Sequence, residues 1–376
     1  MSGASKNKPG RVRDAIVDAL SGSPDGLKLA EIEKRVGRVL GPTPESSIRS
    51  YLRLNTPQMF VREERGLYRL NQGELSFSSA ETVTKLPSCS FGKATLYLGD
   101  CFTWLQSQEN NHFHAVVTDP PYGLVEYSPE QQEKLRAGRG GVWRIPPSFD
   151  GHARSPLPRF TTLNSEELRD LHAFFVRWGE LLFPKLVPGA HVLVASNPLL
   201  SYRVSDALSR AGFERRGELV RLVMTMRGGD RPKAAHAEFS EVSVMPRSMW
   251  EPWLIYRKPL EGRAQDNLRK WKTGGFRRPS EDKPFGDVIE SSPTRKGERL
   301  HGPHPSLKPQ SFLRQIVRAV LPLGEGTILD PFAGSGSTLA AAEAVGYASI
   351  GIEKDPEYFA VAKLAIPKLA ALKVNR

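Results

Sequence analysis

The stretch Ala115-Val116-Val117-Thr118-Asp119-Pro120-Pro121-Tyr122-Gly123 predicts the fold class. Its first three residues are an apolar run typical of a buried parallel strand. In open α/β sheets, ligands bind at the carboxyl ends of such strands. Here that end offers two acceptors, the Asp119 carboxylate and the Pro120 carbonyl, beside the flat ring of Tyr122, and two prolines stiffen the backbone. This set fits an exocyclic amine on a planar heterocycle; a stiffened turn with an exposed Tyr is the alternative.

Composition favours a globular protein with a polyanionic partner. The chain has 376 residues, 39% hydrophobic and 25% charged, which fits one large domain and one small one. Its net charge of +12 favours nucleic acid, although a basic surface that binds nothing is the alternative. Its two cysteines lack metal-site spacing, so we expect neither a disulfide framework nor a metal site. With no apolar run of membrane-spanning length and no signal-peptide core, we expect a cytoplasmic, nucleoid-associated protein of bacterial type.

The N-terminal region predicts a small separate domain. Residues 1–9 are small, polar and basic, and we expect a disordered tail. Residues 10–72 contain three segments with helical spacing and then two short extended runs, an arrangement that resembles a winged helix. The third helix of such folds usually enters a DNA groove. We therefore predict DNA contacts from Arg49 and Arg53 on that helix; a module for protein contacts is the alternative.

Two basic stretches interrupt the larger domain. Residues 73–91 are rich in Ser, Thr and Glu and predict a linker, after which the α/β domain runs over 92–376. Within it, 123–164 and 225–303 combine arginines with aromatic residues, which suits phosphate contacts and base stacking. A solvated insertion is the alternative for the first stretch. The predicted DNA contacts in the two stretches are Arg139, Arg144, Arg227, Arg231, Lys233, Arg277 and Arg278, with Trp271 and Phe276 among them.

A second motif, Asp330-Pro331-Phe332-Ala333-Gly334-Ser335-Gly336-Ser337-Thr338, follows an apolar strand and leads into an Ala-rich helix. The next strand ends at Glu353. A strand, a glycine loop, a helix, a strand and an acid are typical of nucleoside-cofactor sites. A P-loop is disfavoured because no Gly-Lys-[Ser/Thr] follows, and a dinucleotide because Leu339 replaces the third glycine. S-adenosylmethionine, which has no phosphate, remains; a tight strand-to-helix turn is the alternative without a ligand.

Together, the two motifs resemble those of the DNA amino-methyltransferases over about residues 92–373. The stretch Asp119 to Tyr122 is similar to their catalytic motif, which implies catalytic roles for Asp119, Pro120, Pro121 and Tyr122. The stretch His304 to Pro309 resembles the motif beside the methionine moiety of the cofactor. The resemblance implies contacts with S-adenosylmethionine from Asp100, Lys308, Asp330, Phe332, Gly334, Gly336, Ser337 and Glu353.

The motif order resembles the circularly permuted arrangement called the beta class, because the catalytic strand precedes the glycine-loop strand. The resemblance implies an α/β, Rossmann-like methyltransferase sheet with these two strands as neighbours, plus the small N-terminal winged helix. In this class target recognition lies between the two halves. Residues 225–303 match that region but are short, so the loop after Tyr122 and the winged helix are candidates to share the task.

The implied reaction is methyl transfer from S-adenosylmethionine to an exocyclic amine of a base flipped out of double-stranded DNA. No metal is required, because the sulfonium is already activated. Asp at position 119 is typical of adenine-N6 enzymes and Ser of cytosine-N4 enzymes; we expect adenine, with cytosine-N4 as the alternative. The sequence also leaves open an RNA or protein-amide methyltransferase and a winged-helix regulator with a nucleotide-binding domain. A cognate restriction endonuclease is a candidate partner; the oligomeric state is open, a dimer included.

Overall fold

The structure is a computed structural model, and it divides the chain into two compact units, Met1–Thr84 and Lys85–Arg376. The residues it describes are 11–21, 23, 26–41, 43–54, 56, 60–64, 66–70, 86–121, 163, 165–223, 231–232, 234–302 and 307–374.

The N-terminal unit packs helices against a small antiparallel sheet with strand order β1-β3-β2. Its elements are α1 (Arg11–Ser21), β1 (Leu27–Lys28), α2 (Leu29–Leu40), α3 (Glu45–Leu54), β2 (Phe60–Glu64) and β3 (Leu67–Leu70). Its buried core draws on each helix, as with Ile16, Ile32 and Ile48. The sequence analysis missed β1, because a two-residue strand has no periodicity and exists only through its pairing with β3.

The larger unit is built on a nine-stranded sheet with the order β10-β8-β9-β7-β6-β11-β12-β5-β4. Its strands are β4 (Ser88–Phe91), β5 (Ala94–Leu98), β6 (Phe113–Thr118), β7 (Leu186–Ala195), β8 (Glu214–Leu222), β9 (Trp250–Arg257), β10 (Val288–Glu290), β11 (Thr327–Asp330) and β12 (Ala348–Glu353). Strand β6, which leads into Asp119, pairs in parallel with β11, which leads into the glycine loop, with Ala115 opposite Ile328. The predicted α/β fold and the adjacency of these two strands are therefore confirmed.

Helices cover both faces of this sheet. They are α4 (Cys101–Gln106), α5 (Ser165–Leu182), α6 (Ser201–Arg210), α7 (Ala264–Trp271), α8 (Lys296–His301), α9 (Gln310–Val320), α10 (Ser337–Val345) and α11 (Pro356–Ala371), with a 3-10 turn at Phe183–Lys185. On β6, Val116 packs in the cluster that contains Trp178 of α5, and Val117 packs in the cluster that contains Phe312 of α9. Both faces of the strand are buried, which accounts for its uninterrupted apolar run. None of the described helices is both long and apolar enough to cross a membrane.

Two predicted boundaries need correction. The predicted linker 73–91 ends within the sheet, because residues 88–91 form β4 and pair antiparallel with β5. The stretch 225–303 is not wholly an insertion, since it contains β9, which lies between β8 and β7 with Trp253 and Tyr256 fully buried. The sequence predicted a strand at Trp253–Tyr256, and the structure extends it to Trp250–Arg257 and pairs it on both sides. The loop 123–164 lies outside the described residues.

Trp271 and Phe276, which were proposed to stack on bases, are partly buried and pack against other side chains of the larger unit. The Trp271 indole N–H donates to Glu261 at 2.6 Å. The ring of Phe276 lies 4.1 Å from that of His191 and 5.5 Å from that of Phe285, centroid to centroid. Both rings therefore serve the fold in this structure, and their composition-based assignment to DNA has no support from their positions.

Gly336→Ala tests how tightly the glycine loop is packed. Gly336 has a φ of 78°, and a Cβ there would lie 2.4 Å from Cγ1 of Ile366. Gly346, at the other end of α10, has a φ of 88° and nothing within 4 Å of its Cβ position. Gly346→Ala should lower the free energy of unfolding by about 1–3 kcal/mol, the cost of a left-handed non-glycine residue. Gly336→Ala should lower it further, because it adds a clash.

Urea unfolding followed by tryptophan fluorescence measures both variants. All six tryptophans lie after residue 84, so the signal reports the larger unit. Equal losses for the two variants would show that Ile366 does not confine the loop.

Candidate functional site

Four carboxylates lie together at the carboxyl-terminal end of the parallel strands. Asp119 follows β6, Asp330 ends β11, Glu353 ends β12 and Asp100 follows β5. These four strands are parallel neighbours, so their carboxyl ends lie together. The two motifs quoted from the sequence therefore form one site at the edge where α/β sheets bind ligands.

Asp330 links the two motifs. Its Oδ1 accepts hydrogen bonds from the Thr118 hydroxyl at 2.7 Å and from the Phe332 amide at 3.2 Å. The residue is 3% exposed. Burial raises the pKa of Asp330 to about 6, although these hydrogen bonds oppose the rise. Asp330 thus connects the end of β6 to the start of the glycine loop through these two hydrogen bonds.

Glu353 holds the glycine loop from the other side. One of its carboxylate oxygens accepts from the Gly334 amide and the other from the Asp355 amide, both at 2.7 Å. Burial raises the pKa of Glu353 to about 7, against the effect of these two donors. The group is therefore poised between its charged and neutral forms near neutral pH.

The remaining predicted cofactor residues surround this loop. Asp100 caps α4 by accepting from the amides of Phe102 and Thr103, and the Gly99 amide donates to the Glu353 carbonyl. The ring of Phe332 packs 5.7 Å from that of Trp178. Gly336 turns the chain into α10, and the carbonyl of Ser337 accepts from the Gln310 side chain at 2.9 Å. The structure therefore brings Asp100, Phe332, Gly334, Gly336, Ser337 and Glu353 to the same end of the sheet as Asp330.

Lys308 lies against the Asp119 carboxylate. Its ammonium is 2.6 Å from Oδ2 of Asp119 and 3.2 Å from Oε1 of Glu251. Burial alone would lower the pKa of Lys308, but the carboxylates of Asp119 and Glu251 raise it above its usual value. Lys308 was predicted to contact the cofactor; the structure brings it to Asp119.

Glu251 and Arg221 are site residues that the sequence analysis missed. Glu251, on β9, accepts from Arg221 of β8 at 2.9 Å and from the Trp253 indole N–H at 3.2 Å. Burial alone would raise the pKa of Glu251, but Lys308 and Arg221 hold it well below its usual range. The only signal in the sequence was a charge within each apolar strand, but a charge in a strand equally marks a solvent-facing position.

The predicted DNA-binding residues that the structure describes belong to both units. On α3, Arg49 is exposed and pairs with Glu33 at 3.0 Å and Glu45 at 2.9 Å. Arg231 is exposed. The Arg277 guanidinium donates to the Tyr347 hydroxyl, just before the amino end of β12, and Arg278 is the next residue. The structure thus places Arg277 and Arg278 at the amino-terminal end of the parallel strands, opposite the end where Asp119 lies.

Several predicted positions cannot be placed. Tyr122, Arg139, Arg144, Arg227, Lys233 and His304 lie outside the described residues, as does the side chain of Arg53. Among the residues that are described, no cluster of three or more His, Cys, Asp or Glu is arranged to hold a metal ion.

Comparison with known proteins places this site in a family. The model of the N6/N4 DNA methylase family matches residues 113–364. The Type II methyltransferase M2.LlaDCHI of Lactococcus lactis subsp. cremoris is 38% identical over 276 residues, which cover 73% of this chain and 90% of the relative. The Type II methyltransferase M.HindIII of Haemophilus influenzae is 24% identical over 299 residues, 73% of this chain and 96% of the relative.

Solved structures also resemble the chain. The DNA modification methylase TTHA0409 of Thermus thermophilus, complexed with S-adenosyl-L-methionine, shares 22% identity with a TM-score of 0.45, over 73% of this chain and 94% of its own. The cytosine-N4-specific PvuII DNA methyltransferase shares 14% identity with a TM-score of 0.49, over 78% and 91%. The family match and the sequence relatives show that the chain belongs to the N6/N4 DNA methylase family.

Proposed function

We propose that the protein transfers a methyl group from S-adenosylmethionine to N6 of adenine within a specific sequence of double-stranded DNA. The observation that carries this proposal is the position of Asp119-Pro120 at the end of β6, beside the glycine loop that follows β11. Membership of the N6/N4 DNA methylase family supports the reaction class. The Type II relatives support a role in restriction-modification, and a cognate restriction endonuclease is proposed as the partner.

The residues around the glycine loop fit a nucleoside without a phosphate. Asp100 and Glu353 put carboxylates there, where a phosphate would need cations or a cradle of free amides. Each Glu353 oxygen takes one backbone donor and retains capacity for another, such as a ribose hydroxyl. Asp100 and Glu353 would hold the adenosine part of S-adenosylmethionine, and Phe332 would line it. When bound, this cofactor supplies a methyl group already activated on a sulfonium.

The chain then has to orient the amine that receives the methyl group. The Asp119 carboxylate and the Pro120 carbonyl would accept the two N–H groups of the amine and localise the nitrogen lone pair. Lys308 fixes the Asp119 carboxylate through Oδ2. Such orientation removes several kcal/mol from a barrier, because the bound groups no longer lose freedom during the reaction. The proton leaves once the nitrogen has gained charge, with Asp119 placed to receive it.

The target base must leave the duplex for this geometry to form, since the amine is otherwise paired. Tyr122, next to Pro121, is proposed to stack on the flipped base. Adenine is preferred to cytosine because Asp rather than Ser stands at the first position of the catalytic motif.

Asp119→Asn should strongly reduce methyl transfer while cofactor binding persists. The amide keeps the shape of the side chain but replaces one acceptor oxygen with a donor group, so we expect kcat to fall about 100-fold or more. The assay uses labelled S-adenosylmethionine and unmethylated duplex DNA, with isothermal titration as the control for cofactor binding. Mass spectrometry of the nucleosides should find N6-methyladenine. N4-methylcytosine would overturn the adenine assignment, and no methylated base on any DNA would overturn the function.

Glu353 should make cofactor binding dependent on pH. Its pKa near 7 means that the unliganded carboxyl is increasingly protonated as the pH falls from 8 to 6, whereas ribose hydroxyls favour the ionised form. Affinity for S-adenosylmethionine should therefore decrease over that range, towards about tenfold per pH unit below the pKa.

Isothermal titration at several pH values measures this dependence. Glu353→Gln should bind more weakly and lose the pH dependence, while Glu357→Gln, at an exposed acid on α11, should keep it. The same dependence in Glu353→Gln would assign the titration to another group.

The N-terminal unit is proposed to bind DNA as a winged helix. Its order of helix, strand, helix, helix and hairpin supports this proposal, as does the net charge of the chain. Each phosphate contact contributes about 0.9 to the slope of log affinity against log salt. Arg49→Gln and Arg53→Gln should each reduce that slope by about this amount, and Arg38→Gln, at an exposed arginine of α2, should not. Unchanged slopes for all three would favour protein contacts instead.

A further inference from the structure

A chain of four alternating charges runs from the catalytic carboxylate into the sheet. Asp119 lies 2.6 Å from Lys308, Lys308 lies 3.2 Å from Glu251, and Glu251 lies 2.9 Å from Arg221. The side chains of Asp119 and Glu251 are 15% exposed, that of Lys308 9% and that of Arg221 7%. The four groups come from the end of β6, the segment before α9, and strands β9 and β8.

Arg221, at the far end of this series of charges, is held by several contacts. The Arg221 guanidinium donates from Nε to the Ser291 hydroxyl at 3.0 Å and from Nη2 to the Ser292 carbonyl at 3.2 Å. It also lies 5.1 Å from the ring centroid of Phe312. An arginine held by several contacts fixes the position of the carboxylate that it binds. Glu251 therefore has a defined position from which to hold Lys308.

We propose that Glu251 is a positioning residue for methyl transfer: anchored by Arg221, it shares Lys308 with Asp119 and so sets the position of the catalytic carboxylate. This inference rests on the proposed function and adds to it a residue on β9.

The physical reason is competition for the ammonium. Lys308 has three N–H donors and lies between the carboxylates of Asp119 and Glu251. With Glu251 in place, one side of the ammonium is drawn away from Asp119. Without that charge, the attraction of Lys308 to Asp119 would no longer be balanced by Glu251, and the ammonium would compete more strongly with the incoming amine for the acceptor oxygens of Asp119. The two carboxylates and two cations also leave the buried site without net charge, which limits the free-energy cost of burying the charges.

The contacts of Lys308 with the two carboxylates also predict that the pH dependence of activity changes when Glu251 loses its charge. Among the described residues, the charged groups that act on Lys308 include Asp119 and Glu251, which raise its pKa, and Arg221, which lowers it. Asp330, bonded to Thr118, is the next carboxyl along the edge. Removal of the Glu251 charge takes away one of the two carboxylates that keep Lys308 protonated. Activity that depends on the protonated Lys308 ammonium should therefore be lost at a lower pH in a variant without the Glu251 charge than in the wild type.

The test is Glu251→Gln in the full-length protein, with labelled S-adenosylmethionine and unmethylated plasmid DNA. We expect kcat to fall about 10- to 100-fold, as for a small misplacement of a reacting group. The alkaline limb of the kcat profile should shift to lower pH, while KM for DNA and the Kd of S-adenosylmethionine stay near wild type. Glu251→Asp keeps the charge and should restore the wild-type alkaline limb, even if kcat recovers only in part.

Glu214→Gln is the matched control. Glu214 pairs with Arg257 at 2.6 Å across the same two strands, at the end away from Asp119. This variant loses an ion pair of the same hairpin and should keep the wild-type kcat and pH profile. Glu251→Gln with an unchanged kcat and profile would overturn the inference, as would a loss of thermal stability in Glu251→Gln without any change in kcat.

A double substitution separates positioning through Lys308 from a general loss of folding. If Glu251 acts through Lys308, Glu251→Gln should reduce kcat little further in a Lys308→Gln background. Additive losses would overturn the inference, even if the single variant is unstable. A wild-type protein that methylates no DNA would overturn the proposed function; an active wild type with an unaffected Glu251→Gln would overturn only the role of Glu251.

Discussion

The parallel pairing of β6 with β11 is the constraint on which the site depends. It brings together two motifs that lie far apart in the chain, and the Thr118–Asp330 hydrogen bond, between residues 212 positions apart, joins their ends. Both strands are buried on both faces, so their register is strongly specified by packing. A slip of one residue would turn Val116 and Val117 to the wrong helical layers and would separate Thr118 from Asp330. This pairing and its register place the Asp119 motif beside the glycine loop.

The two halves of the site treat buried charge differently. Around the glycine loop, Asp330 and Glu353 are held by backbone amides and a hydroxyl, and burial raises their pKa values to about 6 and about 7. Around Asp119, the carboxylates are compensated by cations, and Lys308 and Arg221 hold the pKa of Glu251 below its usual range. The first half can gain stabilisation from a ligand that donates hydrogen bonds. In the second half, Lys308 and Arg221 already compensate the carboxylate charges.

The segment between the two motifs serves the fold more than its composition indicated. It contributes β9 to the sheet and Glu251 to the site, and Trp271 and Phe276 pack within the unit. Arginines and aromatic residues have the same composition whether they meet DNA or one another. Arg277 is an example of an arginine with an internal partner, because its guanidinium binds Tyr347 at the end of the strands away from Asp119.

The sequence by itself determined the α/β class, the two motifs, their permuted order and most of the strands and helices. Each of these depends on local periodicity, glycine and proline positions, or short motifs whose chemistry is visible in neighbouring residues. Only the tertiary structure decided that β9 is a central strand, that Lys308 binds Asp119 from 189 positions away, and that Glu251 and Arg221 complete the chain of charges. Burial and charge compensation are properties of residues distant in sequence that the sheet brings together, and no local pattern records them.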